Sequence, residues 1–301
     1  MQTVRCGVAN APTGALRIYH VAGDLAGAGG TKRRKPVTGS SDAYRIRRYG
    51  TQSHQYGEYW LGRTGALVIL IHGGYWREKY RLDLMHPMAA DLQARGYSVW
   101  NVEYRPMDIA GGGWPGTFED VASAVDAAVD LDPGAIDPER IGLIGHSAGG
   151  QLALWVAGRA ERSPITPVDD ASAAAAGQFA CRVTPKVVVS LAGVCDLAAA
   201  ARLGLSGGAV LELLGGGPGD RPEVYAQADP MSAGPLTVSQ LIVHGTADED
   251  VPYELSRRYA LNAGERAALV TLPETDHFDL IDPASAAWDR IMRELVPLLP
   301  A

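Results

Sequence analysis

The sequence predicts an α/β fold with a mostly parallel central sheet covered by helices on both faces. Residues 66–71 (ALVILI) form a continuous apolar run, which is typical of a strand buried on both faces. From that run to the C-terminus, predicted strands alternate with predicted helices of about 11 to 15 residues, and this alternation favours a parallel sheet. The chain has 301 residues and is 47% hydrophobic, enough for one large domain with its own core.

The individual elements follow from local patterns. Strands are predicted where short apolar and aromatic runs are bounded by turn residues, at Tyr44–Tyr49, Glu58–Leu61, Ala66–Ile71, Tyr97–Tyr104, Arg140–Ile144, Lys186–Leu191, Gln240–His244 and Ala267–Leu272. Helices are predicted where apolar residues recur at helical spacing, at Leu82–Arg95, Thr117–Leu131, Ser147–Ala160, Tyr253–Ala263 and Ala286–Leu299. Gly96 ends the first of these helices as a C-cap residue.

The chain divides into a short N-terminal segment and one domain. Residues 1–42 are rich in Gly, Thr and Ser and poor in periodic pattern, so we expect an irregular segment there. Residues 43–301 form the predicted domain. Two stretches interrupt the alternation of strands and helices. Residues 163–182 indicate a surface insertion, and residues 196–231 indicate Ala- and Gly-rich helices that form a cap-like insertion over the functional site.

Charge and cysteine content narrow the class of protein. The net charge of −7 argues against nucleic acid or an anionic membrane as the main partner, and the basic run Lys32–Lys35 is interpreted as a solvated segment, with a nucleic-acid tag as the alternative. Three cysteines without metal-like or redox-like spacing fit a reducing compartment. Since no signal peptide or long apolar run is apparent, we expect a soluble cytoplasmic protein.

The motif Gly145-His146-Ser147-Ala148-Gly149 predicts a nucleophilic serine. It lies where the strand IGLIG gives way to a helix. In this context the serine occupies a tight turn that exposes its hydroxyl, and the helix N-terminus behind it contributes a positive dipole end. A chance match is the alternative, which the strand and helix on either side disfavour.

A serine needs a base, and the base needs an acid that orients it. With this kind of turn the order along the chain is serine, acid, histidine. Asp248 follows the strand QLIVH, and His277 follows the strand ALVTL, so both are expected at the carboxyl edge of the sheet. His277 is the only histidine that comes after both the serine and a candidate acid. Glu249 and Asp250 are alternatives for the acid in the same loop, and so is Asp276 beside His277.

Backbone N–H groups are expected to stabilise the oxyanion of an acyl-transfer reaction. Ala148 should provide one donor, and Gly74 and Tyr75 the others, with Gly73 as an alternative. These glycines belong to His72-Gly73-Gly74-Tyr75-Trp76, where the absence of a side chain permits close approach of the backbone to substrate.

Further residues are assigned to the surroundings of this site. Trp76, Trp114 and His146 are predicted to line the substrate pocket. For the two tryptophans, the alternative is that they belong to the hydrophobic core. His244 is interpreted as a hydrogen-bonding residue at a strand end, and His72 and His146 as supports of their loops.

The motifs HGGYW and GHSAGG resemble those of α/β-hydrolases, in particular the hormone-sensitive-lipase-like branch with its carboxylesterases and kynurenine formamidases (arylformamidases). The similarity covers the chain from about Tyr44 onward. HGGYW and Asp276-His277-Phe278 resemble the formamidase form. This resemblance implies the triad Ser147, Asp248 and His277. The loop from His244 to Pro252 resembles the acid loop of prolyl-oligopeptidase-type peptidases, but the absence of their N-terminal propeller disfavours an oligopeptide substrate.

The sequence therefore predicts a serine hydrolase that cleaves a small ester or an aryl formamide such as N-formylkynurenine through an acyl-enzyme. A broad short-chain carboxylesterase and a non-catalytic ligand-binding protein of the same fold are the alternatives. We expect no cofactor and no metal. The expected partner is a small-molecule acyl substrate rather than nucleic acid or a membrane, and a homodimer is compatible with this prediction.

Overall fold

The computed structural model describes residues 43–161 and 181–301, together with the backbone of 17–20. The strands of these residues form a single sheet of nine in the order β1-β9-β8-β7-β6-β4-β5-β3-β2. Their bounds are β1 Arg17–His20, β2 Arg45–Arg48, β3 Tyr56–Trp60, β4 Leu67–Ile71, β5 Ser98–Val102, β6 Ile141–His146, β7 Val187–Leu191, β8 Ser239–Gly245 and β9 Ala267–Leu272. Two junctions, β2 with β3 and β3 with β5, are antiparallel and the others parallel.

Helices connect the parallel strands and cover the sheet. Their bounds are α1 His86–Ala94, α2 Gly116–Asp126, α3 Ala148–Ala157, α4 Leu197–Leu203, α5 Leu205–Leu214, α6 Pro222–Ala228, α7 Tyr253–Ala263 and α8 Ala286–Leu295. In the part of the chain that the structure describes, no helix has the length and apolar character to cross a bilayer.

The predicted mostly parallel α/β sheet is confirmed, and the predicted strands and helices from Tyr44 onward each have a counterpart. The N-terminal segment differs from its prediction at one place. Residues 17–20 form strand β1, parallel to β9, whereas 1–42 were expected to be irregular. Four residues carry too little pattern to reveal a pairing with a partner so distant in sequence. The remainder of 1–42 and most of the insertion at 163–182 lie outside the described residues.

Alternation along the strands divides the core into two layers. In β4, the side chains of Leu67, Ile69 and Ile71 pack with α2, α3 and α7 on one face. Val68 and Leu70 point to the other face, where they pack with α1 and α8. Successive residues of a strand point to opposite faces, so an unbroken apolar run buries both sides of the sheet.

The chain reverses its direction of winding at β4. Strand β4 lies between β5 and β6 in the sheet. The connection that leaves β4 therefore leads to its neighbour on one side, β5, and the connection that leaves β5 crosses back over β4 to its neighbour on the other side, β6. Ligand sites of open α/β sheets lie at the carboxyl ends of the strands beside such a switch point. The HGGYW loop follows β4, and Ser147 follows β6, which brings both motifs to that position.

Candidate active site

Ser147 occupies a sharp turn between β6 and α3. Its backbone has φ 56° and ψ −120°, a left-handed conformation that a non-glycine residue adopts only under constraint. A Cβ on Gly145 would overlap the carbonyl oxygen of Gly149, and a Cβ on Gly149 would overlap that of Ile71. The two glycines of the motif therefore allow the turn to pack against β4.

Asp248 and His277 are in direct contact. His277 Nδ1 lies 2.7 Å from Asp248 Oδ2, and both side chains are almost completely buried. Asp248 follows β8, and His277 follows β9, so neighbouring parallel strands bring the two residues together. Because the carboxylate accepts, the hydrogen resides on Nδ1 and leaves the Nε2 lone pair of His277 free to act as a base.

Both carboxylate oxygens of Asp248 are hydrogen-bonded. Oδ1 accepts from the backbone N–H groups of Asp250 and Val251 at 2.9 and 2.8 Å. His244 Nε2 lies 3.2 Å from Oδ2, in addition to 2.9 Å from the Val251 carbonyl. Burial alone would raise the pKa of Asp248, but the hydrogen bonds from His244 and His277 outweigh it and hold that pKa well below its usual range. The carboxylate is therefore ionised and fixed in orientation.

The other candidate acids have different surroundings. Glu249 and Asp250 are exposed, and Asp276 accepts the backbone N–H groups of Phe278 and Asp279 within its own loop.

Three side chains beside the site have the donor atoms of a metal ligand set: the ligand atoms of Asp248, Asp250 and His277 lie within 4.8 Å of one another. Since Asp248 and His277 bond to each other, we assign no metal site to this group.

His146, which precedes the serine, supports the loop of His277. Its Nε2 lies 2.9 Å from the His277 carbonyl oxygen, and the two imidazole centroids are 4.4 Å apart. Burial, aided by the proximity of His277, lowers the pKa of His146 to about 3, so its neutral ring donates from Nε2. With 2% of its surface exposed, His146 supports the loop of His277, and its role in lining the pocket stays a prediction.

The serine and the histidine are brought to the same edge of the sheet. Ser147 is joined to His146, whose ring packs directly on His277. Among the described contacts there is no hydrogen bond between Ser147 Oγ and His277. Such bonds are often long without substrate and tighten in the reacting complex.

The loop His72–Trp76, which we call the oxyanion loop, lies against the serine turn. A Cβ built on Gly73 would stand 2.9 Å from Ser147 Cβ. Gly74, Tyr75 and Trp76 have φ values of 105°, 50° and 58°. Successive backbone N–H groups in a turn form concavities that bind anions. Within the described part of the chain, the N–H groups of Gly74, Tyr75 and Ala148 take no part in the hydrogen bonds found.

Contacts that the sequence did not reveal fix this loop from two sides. The Tyr75 hydroxyl donates to the Asp250 carbonyl at 2.6 Å, which links the oxyanion loop to the acid loop. Arg77 forms a bidentate pair with Glu212 of α5 at 3.0 and 3.1 Å. These partners lie far apart in sequence, and no local pattern predicts them. The second contact brings the 196–231 insertion beside the loop, and its role as a cap stays a prediction.

The two tryptophans predicted for the pocket have different environments. Trp76 is fully buried, and its indole N–H donates to Gln151 Oε1 at 3.2 Å. It belongs to the core, which corrects its assignment to the pocket wall. Trp114 is only partly buried and packs edge-on against Phe118 and Trp155, so its pocket role stays a prediction.

Comparisons with known proteins agree with this architecture. Residues 62–262, more than half of the chain, match the family model described as BD-FAE. A stretch of 108 residues is 33% identical to the uncharacterized peptidase YuxL of Bacillus subtilis (strain 168), covering 33% of this chain and 16% of that protein. The chain thus spans about a sixth of the length of this curated relative.

Solved structures extend the likeness to nearly the whole domain. A truncated carbohydrate esterase from gut microbiota superposes with a TM-score of 0.69 at 20% identity, over 87% of this chain and 99% of that chain. Esterase B from Lactobacillus rhamnosis (HN001) gives 0.68 at 17% identity, over 85% of each chain. At these identities the likeness establishes the α/β-hydrolase fold.

Proposed function

The chain belongs to the BD-FAE family, and from this we propose that it is a serine hydrolase that cleaves small esters through an acyl-enzyme. Ser147 is the proposed nucleophile, His277 the base and Asp248 the acid that orients it. The proposed oxyanion donors are the backbone N–H groups of Gly74, Tyr75 and Ala148. The similar solved structures include a carbohydrate esterase and esterase B, which supports the same reaction class.

One observation carries the proposal. A buried, ionised Asp248 accepts a hydrogen bond from His277, with 2.7 Å between Oδ2 and Nδ1, and the ring of that histidine packs on the residue that precedes a strained serine. A buried charge is costly unless it is satisfied, and a serine in a left-handed turn is strained. Ligand binding alone requires neither feature, whereas a serine nucleophile that is activated by a histidine uses both an oriented base and an exposed hydroxyl.

In the first half of the reaction, Ser147 Oγ attacks the carbonyl carbon while His277 Nε2 takes its proton. The carbonyl π electrons move to oxygen, and the three backbone N–H groups stabilise the resulting oxyanion. His277 then gives the proton to the leaving alcohol as the carbon–oxygen bond breaks, which leaves an ester of Ser147. Asp248 remains ionised and stabilises the imidazolium.

In the second half, water replaces the alcohol. His277 removes a proton from water, the hydroxide oxygen attacks the acyl carbon, and a second oxyanion forms in the same place. Its collapse returns the proton to Ser147 Oγ and releases the acid. The oxyanion donors serve both intermediates, so a perturbation of the loop should slow acylation and deacylation alike.

The Ser147→Ala variant tests the proposal. We expect the loss of p-nitrophenyl acetate hydrolysis and of covalent labelling by a fluorophosphonate probe, because both reactions need the serine oxygen. The exposed Ser53 offers a matched control, and Ser53→Ala should label and turn over like the wild type. Unchanged hydrolysis by Ser147→Ala, or a mass-spectrometric adduct on another residue, would refute the assignment.

The aryl-formamide substrate that the oxyanion loop predicts is the finer hypothesis. A formyl group is the smallest acyl group, so this hypothesis requires a high kcat/KM with N-formylkynurenine relative to short p-nitrophenyl esters. An ester preference of orders of magnitude would leave a short-chain carboxylesterase instead. A peptide p-nitroanilide belongs in the same panel of substrates because the relative YuxL is named as a peptidase.

A further inference from the structure

Three consecutive backbone carbonyls of the oxyanion loop, those of His72, Gly73 and Gly74, are occupied by hydrogen-bond donors. The His72 carbonyl accepts from the Tyr104 hydroxyl at 2.9 Å. The Gly73 carbonyl lies 2.8 Å from His72 Nδ1, and the Gly74 carbonyl accepts from the Arg77 N–H at 3.1 Å. Three consecutive peptide groups are therefore held by their oxygen atoms.

Holding a carbonyl also orients the N–H group that follows it. The peptide bond is planar and trans, so its C=O and N–H point in opposite directions. With the Gly73 oxygen bound to the His72 ring, the N–H of Gly74 must point away from that ring. The Arg77 contact orients the N–H of Tyr75 in the same manner. A flip of the peptide between Gly73 and Gly74 would replace a donor by a carbonyl oxygen.

The side chain that holds the first of these peptides is itself held by a buried carboxylate. His72 Nε2 lies 2.9 Å from Glu103 Oε1, and both side chains are 2% exposed. Glu103 also accepts the backbone N–H groups of Leu82 and Tyr104. Burial alone would raise the pKa of Glu103, but His72 and these hydrogen bonds lower it. A carbonyl oxygen only accepts, so Nδ1 of His72 donates to the Gly73 oxygen while Nε2 faces the Glu103 carboxylate.

Stacking on Tyr104 also fixes the position of the His72 ring. It stacks on Tyr104 with centroids 4.3 Å apart and an interplanar angle of 9°. Tyr104 and Glu103 are adjacent at the end of β5, the strand beside β4. Two neighbouring strands thus form a rigid support beneath a glycine-rich loop that could otherwise adopt several conformations.

We propose that His72, oriented by Glu103, is a positioning residue that keeps the Gly73–Gly74 peptide in the orientation that forms the oxyanion hole. The inference rests on the proposed function, because it assumes that the N–H of Gly74 meets an oxyanion. His72 itself does not touch the substrate. Instead, His72 raises the fraction of molecules in which the N–H group of Gly74 faces the active site.

Two substitutions of His72 separate this role from general support. His72→Asn can retain a donor near the position of Nδ1, whereas His72→Gln extends toward Glu103 and loses the donor to Gly73. Removal of one oxyanion donor lowers the rate about 10²–10³-fold. The rate should fall by less when the Gly73–Gly74 peptide still adopts the productive orientation part of the time. We expect kcat to fall about 10- to 100-fold in His72→Gln, with KM within about threefold of the wild type. In His72→Asn, kcat should lie between the values of His72→Gln and the wild type.

A reversible transition-state analogue provides the second readout. Phenyl trifluoromethyl ketone adds to the serine oxygen and presents an oxyanion, so its inhibition constant should rise in His72→Gln by about the same factor as kcat/KM falls. His86→Gln is the matched control, because His86 pairs with Glu58 at 2.8 Å without contact to this loop. Its kcat and inhibition constant should stay near those of the wild type.

Tyr104→Phe provides a conservative variant if both His72 variants fail to fold. It removes only the hydroxyl that holds the His72 carbonyl and should lower kcat severalfold at unchanged KM. The proposal is overturned if folded His72→Gln turns over within threefold of the wild type, or if its crystal structure retains the Gly73–Gly74 orientation. A wild type without esterase activity, or an active Ser147→Ala, would instead overturn the proposed function, and the peptide orientation in the His72→Gln crystal would still decide the role of His72.

Discussion

Gly73→Ala measures how closely the oxyanion loop must approach the nucleophile. Gly73 does not have a left-handed φ, so alanine adds a methyl group without backbone strain. The added Cβ would lie 2.9 Å from Ser147 Cβ and from the His146 carbonyl oxygen, where ordinary contact begins at 3.4 Å. The loop must therefore retreat by about half an ångström, and a displacement of about 1 Å can cost about 10² in rate.

We expect kcat/KM for p-nitrophenyl acetate to fall about 10- to 100-fold, which corresponds to about 1.4 to 2.7 kcal/mol of transition-state stabilisation. Gly219→Ala is the matched control, because nothing lies within 4 Å of its added Cβ, and it should leave kcat/KM unchanged. Thermal unfolding of both variants shows whether the fold is intact. A folded Gly73→Ala enzyme within threefold of the wild type would refute the close approach of loop and nucleophile.

Three further predictions concern the acid loop. Asp248→Asn should lower kcat by about 10⁴, as in other Ser-His-Asp enzymes, because the amide favours the wrong tautomer of His277; a fall below tenfold would contradict this. The lowered pKa of Asp248 contributes stability above its ordinary value of 3.8 that is lost as the pH falls toward the lower pKa of the folded state. The free energy of unfolding should therefore fall more steeply below about pH 4 in the wild type than in Asp248→Asn, and equal slopes would speak against it. Tyr75→Phe removes the hydroxyl bond to Asp250 and should cost about 1 kcal/mol, or about fivefold in kcat/KM; an unchanged value would mean that the bond does not orient the loop.

Local patterns predicted most of the sheet and its helices. The run at 66–71 is strand β4, and the motif around Ser147 lies at the junction of β6 and α3, as expected. These predictions succeed because apolar periodicity reports directly on burial. Strand β1 was missed because its four residues gain their order from β9, at the far end of the chain.

The assignment of pocket residues was less successful. Trp76 follows the glycines of the loop, which made a pocket wall plausible, but its ring is enclosed by the core and bonded to Gln151. An aromatic residue beside a functional motif has the same sequence signature whether it faces substrate or core. Burial of a side chain depends on what the rest of the chain places around it.

Sequence patterns were enough to predict the succession of strands and helices from Tyr44 onward and the types of residue available for acyl transfer, because turn chemistry and apolar spacing are local properties. Tertiary structure decided which groups meet. It brought His277 to Asp248, and Glu103 to His72, across strands that are neighbours in the sheet but distant along the chain. Hydrogen bonds of this kind form only after the sheet aligns the carboxyl ends of its strands, and they orient both the acid and the backbone N–H groups of the oxyanion loop.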